Sequence, residues 1–168
     1  MRMRIADGLT GVRLVIGLGL IPVLWDSHLS AAAVLLSMAW ITDLLDGRFA
    51  RRAGVEGRLG RWDMEIDTAV GAGLLIGMVG PQIVPLWAAA AAIVVLGGLF
   101  VAGNLAAAML LQLAAYLPFI GKLWADRPPA WWLPLATVAA IGTIDRHRLV
   151  RVNIPNFLQG LRGRFVAR

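Results

Sequence analysis

The chain has no cysteine and only two histidines, His28 and His147, in 168 residues. Disulfides and thiolate metal sites are therefore excluded, and so is a histidine-rich metal centre. Any metal held here is held by oxygen. Charge is scarce as well, since Asp, Glu, Lys and Arg make up 15% of the residues where a soluble domain carries about a quarter. Hydrophobic residues reach 59% and the mean hydropathy is +0.74. The composition is that of an all-α integral membrane protein.

Apolar runs able to cross about 30 Å of hydrocarbon fall near 9–25, 30–50, 62–79, 82–102, 104–121 and 130–144. Turn or charge signals separate them, among them Asp26-Ser27-His28, Gly80-Pro81 and Asp126-Arg127-Pro128-Pro129. The expected architecture is a bundle of about six transmembrane helices, occupying residues 1–146 as the catalytic domain. Division of the long run 82–121 at Gly103-Asn104 is its least marked boundary, and five spans is the rival count. The first run reaches spanning length without a small-residue cleavage site, so it is read as helix one and not as a signal peptide. Residues 147–168 form a basic tail whose segment 152–162 alternates apolar and polar groups, as a membrane-surface segment does.

Orientation follows the distribution of Lys and Arg. With six spans one side holds Arg2, Arg4, Arg48, Arg51, Arg52, Arg58, Arg61, Arg146, Arg148, Arg151, Arg162, Arg164 and Arg168, while the other holds only Lys122 and Arg127. Both termini and the 51–61 loop are expected in the cytoplasm. The net charge of +6 sits in short loops and tails flanking the spans, where anionic lipid headgroups account for it better than nucleic acid does. Tryptophans near span ends, including Trp25, Trp124, Trp131 and Trp132, read as an interfacial belt.

Against this background, four aspartates stand out: Asp43 and Asp46 in Ile-Thr-Asp-Leu-Leu-Asp-Gly-Arg, and Asp63 and Asp67 in Trp-Asp-Met-Glu-Ile-Asp. Carboxylates are costly in hydrocarbon, so acids within or at the ends of spans face a bundle interior and bind ions or carry chemistry. On a helix, with Asp43 at zero, Asp46 falls at about −60°, Gly47 at about +40°, Ala50 at about −20° and Arg51 at about +80°. These five share a face. On the next helix Asp67 lies about 40° from Asp63 and Gly60 about 60° from it, with Glu65 on the opposite side.

Two such helices packed side by side would bring four carboxylates to one pocket, placing a metal site between helices 2 and 3. Clustered like charges repel, and a divalent cation relieves them. Hard oxygen donors alone select Mg²⁺, Mn²⁺ or Ca²⁺, and Mg²⁺ commonly completes its shell with substrate phosphates. Gly47 and Ala50 remove bulk beside the acids, and Arg51 offers a fork of donors suited to phosphate oxygens. The stripe describes a groove for a phosphorylated ligand.

The segment Asp43-x2-Asp46-Gly47-x2-Ala50-Arg51-x8-Gly60-x2-Asp63-x3-Asp67 resembles the signature of the CDP-alcohol phosphotransferases, also called CDP-alcohol phosphatidyltransferases. All eight residue types occur in order. One spacing departs: two residues, Arg61 and Trp62, separate Gly60 from Asp63 where the family has three. Leu9-Thr10-x2-Arg13 and Ile21-Pro22 on helix one extend the likeness more weakly. Asp7, also on helix one, is read as a helix cap.

The resemblance implies transfer of a phosphatidyl group from a CDP-linked lipid such as CDP-diacylglycerol to the hydroxyl of an alcohol acceptor, releasing CMP, in phospholipid biosynthesis. It implies Asp43, Asp46 and Asp63 as metal ligands with Asp67 completing the site, and two Mg²⁺ or Mn²⁺ ions as cofactor. Asp67 would be the catalytic base, and Asp43, Gly47, Ala50, Arg51 and Gly60 would line the cytidine diphosphate site. A homodimer in the inner (plasma) membrane of a prokaryote is the implied setting. Where relatives acting on glycerol phosphate often carry Gly-Lys-x-Lys-Thr, this chain has Gly103-Asn104-Leu105-Ala106-Ala107-Ala108. Either the acceptor is uncharged, or its phosphate meets Arg48, Arg52, Arg58 or Arg61. A membrane cation transporter or channel and a metal-dependent prenyltransferase are the alternatives. The first is disfavoured because the acids lie near helix ends and not at the midplane, the second because its acidic motifs lack Asp-Gly-x2-Ala-Arg.

Overall fold

A computed structural model describes the backbone of residues 2–53 and 62–144 and the side chains of 8–48 and 62–144. It is all-helical over these residues, with six helices: α1 Arg2–Trp25, α2 Leu29–Ala53, α3 Asp63–Val79, α4 Leu86–Val101, α5 Leu105–Asp126 and α6 Leu133–Ile144. Among the described residues three helices are long and apolar enough to cross a membrane, over Gly8–Trp25, Leu29–Arg48 and Leu105–Asp126. α4 and α6 are apolar but shorter, and α3 begins with Asp63 and Glu65 in its first turn.

Local chemistry explains the boundaries. Ser27 takes a left-handed φ of 62°, and the chain reverses with Ser27 N–H donating to Leu24 O and His28 N–H to Val23 O, at 2.8 and 3.0 Å. The run 82–121 does divide at Gly103-Asn104. Gly103 has φ 98°, a conformation that needs no Cβ, and the Asn104 side chain caps α5 by accepting from Ala106 N–H at 3.0 Å. α4 starts at Leu86 instead of 82 because Pro85, extended at φ −67° and ψ 144°, is its N-cap. α5 runs through Pro118 to Asp126 and stops where Arg127 turns left-handed. α1 is longer at its start than the apolar run indicates. Asp7 therefore lies inside the helix and not at its cap, a correction that follows from residues 2–7, with Arg2, Arg4 and Asp7 among them, continuing the helix ahead of the hydrocarbon-compatible segment.

The core is built around α1, which packs against both α2 and α3; α3 packs in turn on α5, and α5 on α4, while α6 rests on α2. Leu20, Leu24, Leu36, Leu74, Leu75, Met78, Leu111, Phe119 and Leu123 are all essentially inaccessible within it. Glycines set the α1–α3 distance. A Cβ added to Gly73 would lie 2.4 Å from the Gly17 carbonyl oxygen, one on Gly77 would lie 2.9 Å from that of Leu20, and one on Gly17 would lie 3.1 Å from Val70. Gly73-x3-Gly77 is thus a small-residue crossing of the kind membrane helices use.

Gly73→Ala is expected to force the two backbones apart and cost ~1–3 kcal/mol, as overpacking does. Gly19→Ala, where an added Cβ meets nothing within 4 Å, should leave the melting temperature unchanged or raise it. Equal melting of the two variants in detergent would contradict the close crossing.

Candidate active site

Among the described residues six polar or charged side chains are buried: Thr10, Arg13, Ser37, Asp46, Thr68 and Thr137. Three of them satisfy themselves within their own helix. Ser37 donates to Ala33 O, Thr68 to Met64 O and Thr137 to Leu133 O, at 2.8, 2.6 and 2.9 Å, the usual way a hydroxyl is buried in a helix. Thr10, Arg13 and Asp46 instead bond across helices, and they bond to one another.

Arg13, 1% exposed, is the centre of the arrangement. Its Nη1 donates to Asp67 Oδ1 at 2.6 Å and Asp63 Oδ1 at 2.7 Å and lies 3.1 Å from Asp43 Oδ1. Its Nη2 donates to Asp46 Oδ2, which also accepts from Thr10 Oγ1 at 3.2 Å. The four aspartates therefore surround one guanidinium. They differ in access, with the Asp46 side chain 7% exposed and those of Asp43, Asp63 and Asp67 44%, 38% and 29%.

The acids come from α2 and α3, but these helices are not the side-by-side pair that helical phase suggested: among the described residues each packs on α1, which lies between them. The reason is the glycine crossing. Gly17 seats α3 against α1 one turn beyond Arg13, so α1 becomes the wedge and its arginine the point of convergence. From the sequence, Arg13 belongs to the weaker likeness on helix one and is within reach of the pocket, but has no assigned role. The rule that singled out the aspartates, a charged group inside an apolar helix, applies to it equally.

One carboxylate oxygen from each of Asp43, Asp46 and Asp63 lies within 4.8 Å of the other two, a set of hard donors that fits a divalent cation. Asp67 adjoins it through their common contact with Arg13 Nη1. Gly47, expected at the donor site, is half-buried beside Asp46, and Arg48, expected as a contact for an acceptor phosphate, is exposed. Ala50, Arg51 and Arg52 continue α2, but their side chains lie outside the described residues. Arg58, Gly60, Arg61 and the tail from 147 also lie outside them.

A cavity of about 110 Å³ opens beside Asp43 and Asp67, closed by Arg13, Ala39, Trp40, Val70, Gln112 and Tyr116. Trp40 and Tyr116 form one wall, their rings edge to face at 5.1 Å and 86°. Gln112 reaches it because Gly71 has no side chain: a Cβ there would sit 3.4 Å from Gln112 Cα, so α5 lies directly on α3. Neither Gln112 nor Tyr116 was singled out from the sequence, although an amide within an otherwise apolar spanning helix was the available signal. A larger, shallower groove at the opposite end of the bundle is lined by His28, Asp126 and Pro128 among others. Asp126 there pairs with Lys122 at 2.9 Å, and Arg127 lies over the Trp124 and Trp131 rings. It contains no acid cluster among the described residues.

The CDP-alcohol phosphatidyltransferase family model matches residues 3–144. The chain belongs to that family. No match was found among curated proteins or among solved structures. Family membership makes this a membrane protein of a transferase family acting on a CDP-alcohol donor and an alcohol acceptor. It favours phosphatidyl transfer over cation transport and prenyl transfer, and the family is typically metal-dependent.

Proposed function

We propose that this protein transfers a phosphatidyl group from a CDP-diacylglycerol-like lipid to the hydroxyl of a small alcohol, releasing CMP, at the cytoplasmic face of a prokaryotic inner membrane. The observation that carries this reading is the convergence of Asp43, Asp46, Asp63 and Asp67 on one point within a chain of this family. A soluble or structural role gives no reason to gather four carboxylates inside apolar helices.

In this reading Asp43, Asp46, Asp63 and Asp67 hold two divalent cations, Mg²⁺ or Mn²⁺, which when bound supply Lewis-acid polarisation of the donor pyrophosphate. The remaining roles belong to the chain itself. Gly47, Ala50 and Gly60 leave room for the cytidine diphosphate, and Arg51 meets its phosphate oxygens. The acceptor lies in the cavity beside Trp40, Gln112 and Tyr116. Its hydroxyl oxygen bonds to the lipid phosphorus as the bond from phosphorus to the CMP oxygen breaks, and its proton passes to Asp67. Asp67 suits this because it borders the acceptor cavity, as Asp43 does, while lying outside the Asp43, Asp46 and Asp63 trio whose oxygens gather as ligands. Arg48, Arg52, Arg58 and Arg61 serve membrane anchoring, and as a set they offer cations to a phosphorylated acceptor. The enzyme works as a homodimer.

The direct test is CMP release from CDP-diacylglycerol by the purified protein, with inositol phosphate, glycerol phosphate and serine as acceptors. One of them should raise release well above the rate without acceptor, and no CMP from any of them would overturn the reading. Gln112→Leu is expected to raise the acceptor KM about tenfold or more, the effect of one lost polar contact, with less change in the donor KM. A donor KM raised equally would remove the cavity from the acceptor.

A further inference from the structure

Arg13 occupies the position where opposite charge is most needed. Its guanidinium contacts all four aspartates, so a single positive charge is shared among four carboxylates. Its donors are also unevenly used. Nη1 carries two N–H groups but faces oxygens of Asp43, Asp63 and Asp67, while Nε is buried and without a hydrogen-bond partner. A finished structural network spreads its donors over its acceptors. This one concentrates them where the negative charge is greatest.

The two ends of the guanidinium face different surroundings. Nη2 points inward to Asp46, which is buried and also held by Thr10. Nη1 points to the three more accessible carboxylates, whose oxygens are the ones a cation arriving from solvent reaches first. A divalent cation and Nη1 compete for the same lone pairs.

We propose that Arg13 is a built-in counter-ion: it holds the acidic cluster together before metal binds, gives up its Nη1 contacts when metal enters, and keeps its Nη2 contact to Asp46. Metal loading is then an exchange against an internal cation. Arg13 thereby sets how tightly metal is held and fixes the buried carboxylate in place, acting as a positioning residue. The inference rests on the metal-dependent reading above.

The test uses the full-length protein in detergent, stripped of metal, with Mn²⁺ as the probe and free Mn²⁺ read by electron paramagnetic resonance. Arg13→Met removes the charge and keeps most of the bulk. Its melting temperature in chelator should fall by several degrees, while its Mn²⁺ affinity should rise about tenfold or more, since a unit charge within a few ångströms of a divalent ion is strongly repulsive even at an effective dielectric constant of about 20. Stabilisation by saturating Mn²⁺ should accordingly exceed that of the wild type. Arg13→Lys, which keeps the charge, should stay within a few-fold of wild-type affinity. If Arg13→Met folds only when Mn²⁺ is present, metal has replaced the missing counter-ion and the proposal stands. A purely structural arginine would lower the melting temperature equally with and without Mn²⁺ and leave affinity unchanged or weaker. That result overturns the counter-ion role while leaving the metal-dependent function standing. Absence of Mn²⁺ binding by the wild type overturns both.

Discussion

Asp67→Asn is expected to depress kcat on the order of 10²–10⁴-fold, the range lost with a general base, while affinity for the CDP-lipid falls far less. The asparagine side chain keeps the size of the carboxylate but cannot take the acceptor proton. Asp43, Asp46 and Asp63, whose ligand oxygens lie within 4.8 Å of one another, remain to hold metal and donor. The measurement is steady-state CMP release with donor and acceptor varied separately. Arg51→Ala should show the opposite pattern, with a raised donor KM first and a smaller loss of kcat. Glu65→Gln is the control. Glu65 stands about 200° around the helix from Asp63 and does not border the cavity beside Asp67, so its loss should spare most activity. If Glu65→Gln were as damaging as Asp67→Asn, the assignment of α3's functional face would be wrong.

Turnover is expected to vanish in excess chelator and to return with Mg²⁺ or Mn²⁺, and Asp46→Asn should be inactive with any metal supplied. Asp46 is the deepest of the four acids and accepts from both Thr10 and Arg13. An asparagine carbonyl can still accept those bonds, so the helices should hold together while one charged ligand is lost. Circular dichroism and the elution volume in detergent should match the wild type. Saturating Mg²⁺ should raise the melting temperature of the wild type, because a cation that binds the folded cluster and not the unfolded chain stabilises by mass action. The gain should shrink in Asp46→Asn. Full activity in chelator would end the metal-dependent reading, and a melting temperature indifferent to Mg²⁺ would count against a four-carboxylate site.

The helices were legible because their signals are local. Apolar length marks each span, and glycine, proline and asparagine mark the breaks: Gly103 supplies the left-handed residue and Asn104 the cap that separate α4 from α5. Boundaries missed by a few residues have local causes too. α5 passes 121 and continues to Asp126, with Lys122 and Asp126 paired on its last turn, and the charged start of α1 is helical without being apolar throughout, so hydropathy registers neither.

The angular relation of Asp43 to Asp46 and of Asp63 to Asp67 was also available from the chain, since a helix repeats every 3.6 residues. Which helix those faces meet was not. Side-by-side packing of α2 and α3 is the simplest inference from two acidic faces joined by a short loop, yet α1 lies between them.

Span length, helical phase and motif spacing are properties of neighbouring residues, and they were enough for an all-helical membrane chain, for picking out the four acids and for the family. That Arg13 stands at the centre of those acids, and that Gln112 and Tyr116 close the cavity beside them, emerged only from the packing of helices distant in the chain. Those placements depend on how closely helices approach, and the approach is set by the absence of a side chain at Gly17, Gly71 and Gly73. A missing Cβ carries no direction of its own: it permits contact with any partner, and the partner is chosen by the packing of the whole bundle.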